Sequence, residues 1–171
     1  VLVYDFKDEL KAGITEGVFS RPYMLIYAYH NRISSREEIK AITDYAKKYK
    51  LRTIAIGGSL PWCNEFAVVS PFQVLGYFKM ARCIVTDTFH GTVIASKYNK
   101  PFAVLVRGDN SNKLEDLIER LNITSHRVWD VNDIEDIMNM SNNYEDCNRI
   151  IRHEKKHALA YLENMVGVGT K

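Results

Sequence analysis

The sequence predicts an α/β fold: a Rossmann-like three-layer α/β/α sandwich with a mainly parallel sheet. Two observations support this prediction. Short apolar runs alternate along the chain with stretches in which apolar residues recur at helical spacing, and the turns between them are short. Parallel strands need a crossover connection, and right-handed crossovers cover both faces of the sheet with helices.

Each element is assigned from its own pattern. Strands are expected at 22–30, 51–56, 83–86 and 102–106, where the residues are mostly apolar, and a brief one at 127–129. Helices are expected at 36–49, 71–82, 90–98, 112–121 and 144–165, with a short one opening at Asn132. Ser35 and Ser70 each stand three residues before a Glu or Gln, the pattern of a capping box. The residues from 59 to 69 are expected to be irregular.

Length and composition are those of one globular domain. The chain has 171 residues, of which 46% are hydrophobic, enough for a single packed core and few for two. We divide it into a connecting segment at 1–20, a Rossmann-like domain at 21–142 and a C-terminal helix at 143–171. The 23 basic and 21 acidic residues are mixed along the chain, so no basic block predicts nucleic acid as a partner.

Cysteine content and hydropathy predict a cytoplasmic protein. Cys63, Cys83 and Cys147 are odd in number and lack the close pairs of zinc ribbons or CxxC motifs, which favours reduced thiols. No apolar run approaches the roughly 20 residues of a transmembrane helix, and no signal sequence opens the chain. We expect the protein in the cytoplasm, either free or peripheral at the inner face of the membrane.

The segment that begins at Thr88 is the most informative for function. It follows an apolar strand and opens a helix with the sequence Thr88-Phe89-His90-Gly91-Thr92. The first amides of a helix and its dipole favour an anion, and His90 stands beside them as a candidate for ligand contact. Gly91 would let a ligand approach the backbone. The alternative is structural: His90 caps or packs the helix start, and Gly91 allows the helix to pack on the sheet.

Further candidates follow other strands at the same edge. Ligands of open α/β sheets bind at the carboxyl ends of the strands, where His30, Arg107 and Lys113 are expected. The two cations could clamp a phosphate or carboxylate, although such side chains are often only solvated. Thr92 could add its hydroxyl to an anion site or bond its own backbone. For Asp87, helix capping is the more common role.

Two other patterns are weaker. Gly57-Gly58-Ser59 follows a strand as phosphate-binding turns do, but it lacks the ending of a P-loop and the spacing of a dinucleotide fingerprint. His153 and His157 are four apart on the last helix and could bind a metal in principle. Because we expect no third ligand beside them, we predict no metal site, and we expect both histidines, like His126, to be exposed or packed.

The ordered motifs from 70 to about 128 resemble those of the polysaccharide pyruvyl transferase family. They are Ser70-Pro71 before a helix, Val85-Thr86-Asp87-Thr88-Phe89-His90-Gly91-Thr92, Asn99-Lys100-Pro101-Phe102, the helix at 113–121 and His126-Arg127-Val128. The resemblance implies the C-terminal, donor-binding half of a GT-B-type fold, with an N-terminal domain that this chain lacks. It also implies a transferase that moves a pyruvyl group from phosphoenolpyruvate to two sugar hydroxyls of a cell-surface polysaccharide, forming a ketal.

By the same resemblance, His90 falls on the histidine of the family's Phe-His-Gly motif, which implies binding of the donor's phosphate or carboxylate and proton transfer. Phosphoenolpyruvate is then the donor substrate, a sugar or polysaccharide precursor is the acceptor, and no cofactor is expected. The residues expected to help hold the donor anion are Gly91, Thr92, Arg107, Lys113 and His30. Without the other half, this part of the enzyme should bind donor and hardly turn over.

Two alternatives stay open. The fold does not fix the donor, so a GT-B glycosyltransferase that uses a nucleotide sugar is the first. The second is a non-catalytic binding module within polysaccharide biosynthesis.

Overall fold

The structure, a computed structural model, describes residues 20–108, 111–141 and 143–168. The expected connecting segment at 1–20 lies outside these residues, except for its last position. The strands are β1 (Tyr23–Tyr27), β2 (Arg52–Ile56), β3 (Glu65–Phe66), β4 (Cys83–Thr86) and β5 (Phe102–Val104). The helices are α1 (Arg36–Lys48), α2 (Pro71–Met80), α3 (Phe89–Lys97), α4 (Ser111–Arg120), α5 (Ile134–Asn139) and α6 (Glu145–Val168). Two short 3-10 turns, Thr124–His126 and Val131–Asp133, lie between α4 and α5.

The five described strands form one parallel sheet in the order β3-β2-β1-β4-β5. β1 lies at its centre, where Leu25 is paired with Ile54 of β2 and with Ile84 of β4. The chain reverses its direction of travel across the sheet between β1 and β4, and such a switch point is where doubly wound folds bind ligands. The predicted Rossmann-like α/β fold is confirmed.

Alternate residues of the strands face opposite helical layers. One face, which includes Leu25 and Ile84, belongs to the core formed with α2, α3, α4 and α6. The other face, which includes Met24 and Val85, belongs to the core formed with α1 and α5. Both faces are covered, so the strands are apolar at nearly every position, as the sequence shows most clearly in β1.

A short strand, β3, occurs where the sequence predicts irregular chain. It pairs with β2 through Ile54 and Glu65. Beside it, the Asn64 side chain accepts hydrogen bonds from the amide and the hydroxyl of Thr53, at 2.8 and 3.0 Å. Both residues of β3 are exposed, and two residues carry no alternation of apolar and polar positions from which a strand could be predicted.

The brief strand expected at 127–129 is wrong. Arg127 forms only an isolated parallel bridge with Val104, and the Val128 amide donates to the Val104 carbonyl at 3.0 Å. Asp130 then caps the Val131–Asp133 turn. The chain therefore leaves the sheet before a second pair of residues can extend the ladder.

One of the two predicted capping boxes forms. At α2, the Ser70 hydroxyl accepts from the Gln73 amide at 3.4 Å, and the Gln73 side chain accepts from the Ser70 amide at 2.8 Å. At α1, Ser35 makes no capping bond. The Glu38 side chain that should complete that box is bound instead to Arg107. A contact between residues far apart in the chain thus overrides a local pattern.

His126 is packed, as predicted, and its surroundings keep it neutral. Its ring stacks on Phe102 with the centroids 3.8 Å apart, and its Nδ1–H donates to the Phe102 carbonyl at 2.8 Å. Burial lowers the pKa of His126 to about 4, because the charged imidazolium would lose its hydration. The residue fixes the Thr124–His126 turn against β5.

Of the six described helices, none combines the length and the apolar character that a membrane crossing requires.

Candidate functional site

The start of α3 lies directly after β4, at the carboxyl edge of the sheet. Its N-cap is Thr88, whose hydroxyl accepts a hydrogen bond from the Gly91 amide at 2.9 Å. The amides of Phe89 and His90 have no hydrogen-bond acceptor among the described residues. The helix start therefore presents two N–H groups and the positive end of its dipole at the edge where a ligand is expected.

Gly91 and Thr92 are buried and engaged with the protein itself. A Cβ atom on Gly91 would lie 2.1 Å from Thr86 Oγ1 and 2.8 Å from Thr88 Oγ1, so α3 can approach β4 only where residue 91 has no side chain. The Thr92 hydroxyl donates to the Thr88 carbonyl at 2.9 Å. The structure thus gives Gly91 a packing role and Thr92 a backbone partner, and their contact with a ligand stays a prediction.

His90 is exposed and lines a cavity of about 540 Å³. Tyr27 and Ile56, the last residues of β1 and β2, form part of its wall, and so do residues of α2 and α3. The cavity therefore lies at the carboxyl edge, on the face of the sheet that α2 and α3 cover. This is the location at which α/β folds of this kind bind their ligands.

The wall of the cavity is apolar apart from His90 and the phenol of Tyr27. Among the described lining residues, His90 and Tyr27 are the two with an ionisable group. Burial raises the pKa of Tyr27, so its phenol stays neutral at physiological pH. The remaining side chains are those of Ile56, Phe66, Ala67, Val68, Val69, Pro71, Phe72, Val74, Leu75 and Ile94. Of the described residues in the wall, His90 is thus the one imidazole that a ligand with an apolar portion in this cavity can contact.

A cluster of four charged side chains lies on the other face of the sheet, at the same edge. Arg107 donates two hydrogen bonds to the Glu38 carboxylate of α1, at 2.7 and 3.1 Å. Arg32 donates to Asp87 at 2.9 Å, and the Nε of Arg107 is 3.7 Å from the same carboxylate. We call these four residues the ion cluster. It joins α1 to the segments that follow β1, β4 and β5.

The ion cluster changes the roles expected for two residues. Asp87 does not cap α3, because Thr88 does so, and its fully buried carboxylate faces the two arginines instead. Arg107 follows β5 as expected, but its guanidinium is bound to Glu38 and is not among the residues that line the cavity. The structure therefore brings Arg107 together with Glu38 and Asp87 and not with His90. Its contact with a ligand stays a prediction.

The other two candidates lie at the same edge in different surroundings. Lys113 is exposed in the first turn of α4 and forms no ion pair with any described residue. His30 is exposed, and its Nδ1–H donates to the Ser59 carbonyl at 3.0 Å. A Cβ atom on Gly58 would lie 2.1 Å from the His30 amide nitrogen, so the glycine pair after β2 permits a close backbone approach. Gly57 contributes a left-handed turn with φ of 96°.

Several residues of the edge were not found from the sequence. Glu38 carries a signal for helix capping, and nothing local points to its partner Arg107. Phe66 and Phe72 line the cavity although both are nearly half exposed. Aromatic residues in an irregular stretch and at a helix start have no periodicity, so only the folded structure, in which both line one cavity, shows that they share a surface.

Comparison with known proteins gives one family. A family model described as polysaccharide pyruvyl transferase matches residues 13–110. The matched range is more than half of the 171 residues and contains all five described strands and His90. No curated protein matches the chain at a significant level.

Solved structures that are similar to the chain in fold include the C-terminal CMP-Kdo binding domain of WaaA from Acinetobacter baumannii, with 12% sequence identity and a TM-score of 0.49. The similarity covers 87% of this chain and 97% of that one.

Proposed function

Because the chain belongs to the polysaccharide pyruvyl transferase family, we propose that it binds phosphoenolpyruvate as the donor for pyruvyl transfer to a sugar. The observation that carries the proposal is the position of His90. It is exposed in the first turn of α3, beside two amides that lack a described acceptor and at the edge where such folds bind ligands. In this proposal an N-terminal Rossmann-like half presents the acceptor across the same edge.

Protonation is the step for which His90 is suited. A proton from the His90 imidazolium adds to the methylene carbon of phosphoenolpyruvate and leaves an oxocarbenium-like centre at the carbon that bears the phosphate. One sugar hydroxyl adds there. The second hydroxyl then displaces the phosphate, which closes the ketal. Of the two protons that the hydroxyls lose, one restores the imidazolium and the other leaves with the phosphate.

The helix start supplies the stabilisation that the leaving phosphate needs. The amides of Phe89 and His90 can donate to its oxygens, and the dipole of α3 favours the negative charge. Lys113 lies in the first turn of the neighbouring helix α4, at the same edge, without an ion pair to a described residue. We therefore assign to it the neutralisation of part of the donor's negative charge. Arg107 acts in this proposal through the ion cluster, by fixing the segment after β4.

The test is calorimetric titration of phosphoenolpyruvate into the chain and into His90→Gln and His90→Ala variants. Loss of a charge-assisted contact of roughly 1.5 to 3 kcal/mol predicts a dissociation constant about 10 to 150 times higher. His157→Ala, which removes an exposed histidine from α6, is the matched control and should bind as the parent does. An unchanged affinity in both His90 variants removes His90 from the donor site.

A second candidate is a transferase that uses a nucleotide sugar, and the apolar wall of the cavity favours it. The uncharged rings of a nucleotide sugar suit an apolar wall better than phosphoenolpyruvate, a small trianion, does. A thermal-shift panel separates the two donors, because a ligand that binds only the folded state raises its melting temperature. Stabilisation by a uridine or cytidine nucleotide, with none by phosphoenolpyruvate, would favour the nucleotide sugar.

A further inference from the structure

The exposed part of α6 carries the sequence His153-Glu154-Lys155-Lys156-His157. The two histidines are one helical turn apart, and both are exposed. Their Nε2 atoms lie 3.1 Å from each other, and their ring centroids are 4.3 Å apart. The sequence gives only the spacing of the histidines, whereas the structure shows that the two ring nitrogens converge.

We infer that His153 and His157 form a chelating site for one divalent transition-metal ion. Imidazole nitrogens bind Zn²⁺ at about 2.0–2.1 Å, so an ion bound to two nitrogens 3.1 Å apart has an N–metal–N angle of about 98°. That angle lies between the ~109° of tetrahedral sites and the ~90° of octahedral or square-planar ones. Without an ion, the Nε2–H of one imidazole donates a hydrogen bond to Nε2 of the other. When the metal binds both Nε2 atoms, the donor ring carries its proton on Nδ1 instead, so each ring keeps one N–H.

The described residues around the histidine pair add no further protein ligand for the ion. Among the described residues, no group of three or more histidine, cysteine or acidic side chains could hold a metal. His153 and His157 therefore supply two ligands, and water completes the coordination. Glu154, which follows His153 directly, is exposed and can accept hydrogen bonds from such water.

Thiols are poor competitors for the ion in this protein. A metal binds the thiolate, and burial raises the pKa of Cys63 and Cys83 to about 12 and that of Cys147 to about 11. All three cysteines therefore stay protonated at neutral pH. Imidazole is a common ligand of both Zn²⁺ and Ni²⁺, which leaves the histidine pair as the preferred site for these ions.

The consequence of binding is local and independent of the proposed donor chemistry. From 152 to 166, the side chains of α6 are mostly exposed, so that part of the helix gains little from tertiary packing. An ion held by residues one turn apart binds only the helical conformation. It therefore stabilises this part of α6 by mass action.

The experiment uses the full chain without an affinity tag, freed of metal with a chelator, and titrates ZnCl₂ or NiCl₂ by calorimetry. We expect one ion per chain. His153→Ala and His157→Ala should each weaken binding on the order of a hundredfold, because a single imidazole loses the advantage of chelation. Zn²⁺ should also slow amide hydrogen exchange in α6 of the parent chain and in neither variant.

Two controls isolate the geometry. His157→Ala combined with Lys155→His keeps the number of histidines but moves one off the shared face, and it should bind as weakly as the single variants. His30→Ala removes an exposed histidine elsewhere and should bind as the parent does. The inference is overturned if either single variant retains the parent's affinity within about threefold, or if the parent binds one ion per two chains.

Discussion

At the scale of single residues, Gly91 shows how one position sets the start of α3. The Thr86 hydroxyl, which a side chain at 91 would meet, donates to the Tyr27 carbonyl at 2.7 Å and so cannot rotate away without losing that bond. The sequence identified the helix start from Thr88 and His90. It left two roles open for Gly91, because the distance between α3 and β4 depends on packing that no local pattern encodes.

Gly91→Ala should therefore destabilise the protein. The new methyl group would overlap two hydroxyl oxygens in a buried site, and overpacking of this kind costs about 1–3 kcal/mol or more. Urea denaturation followed by circular dichroism measures the loss of the free energy of unfolding. Gly108→Ala is the matched control, since nothing lies within 4 Å of a Cβ atom there. Equal stability of the two variants would contradict the packing role of Gly91.

At the scale of elements, the two capping boxes that the sequence predicts have different outcomes, because a tertiary contact prevents one of them. The box at Ser70 forms because its partner Gln73 stays local. The box at Ser35 does not form, since the ion cluster takes its Glu38. Long elements such as β1 could be predicted because burial on both faces makes the whole run apolar, whereas the two-residue β3 and the bridge at Arg127 depend on neighbours distant in sequence.

The two serines make a direct comparison. Ser70→Ala should lower the free energy of unfolding by about 1 kcal/mol, because the Gln73 amide loses its side-chain acceptor. Ser35→Ala should change it by less than about 0.5 kcal/mol, since no capping bond is lost. Both values come from chemical denaturation of the two variants beside the parent. A larger loss for Ser35→Ala than for Ser70→Ala would contradict the assigned caps.

At the scale of the whole molecule, the sheet separates the carboxyl edge into two environments. The apolar cavity with His90 lies on the α2 and α3 face, and the ion cluster lies on the α1 face. The sequence predicted that the segments with His90 and Arg107 lie at one edge of the sheet, which is correct, and the two strands that they follow are paired in the structure. It could not predict the face on which the Arg107 side chain lies, because that depends on the partner that binds it.

Asp87→Asn tests the ion cluster. The substitution removes a fully buried negative charge that faces the partly exposed Arg32 and Arg107. Because the Arg32 guanidinium then loses its charged acceptor, the loss should cost about 1.5–3 kcal/mol. Asp44→Asn, which breaks the exposed pair of Asp44 with Lys40, is the control and should leave the free energy of unfolding nearly unchanged, because solvent screens that pair. Thermal and chemical denaturation of both variants gives the comparison, and a cost for Asp87→Asn as small as that for Asp44→Asn would show that the cluster contributes little to stability.

The shortness of β3 limits how another molecule can join this edge of the sheet. Two residues offer too few main-chain groups for an incoming polypeptide to extend the ladder. The Arg52–Glu65 ion pair also places charged side chains at this edge of the sheet. Self-association by strand addition is therefore disfavoured. A molecule that approaches beside Phe66 must be recognised by the shape and chemistry of side chains, and backbone pairing adds little to its affinity.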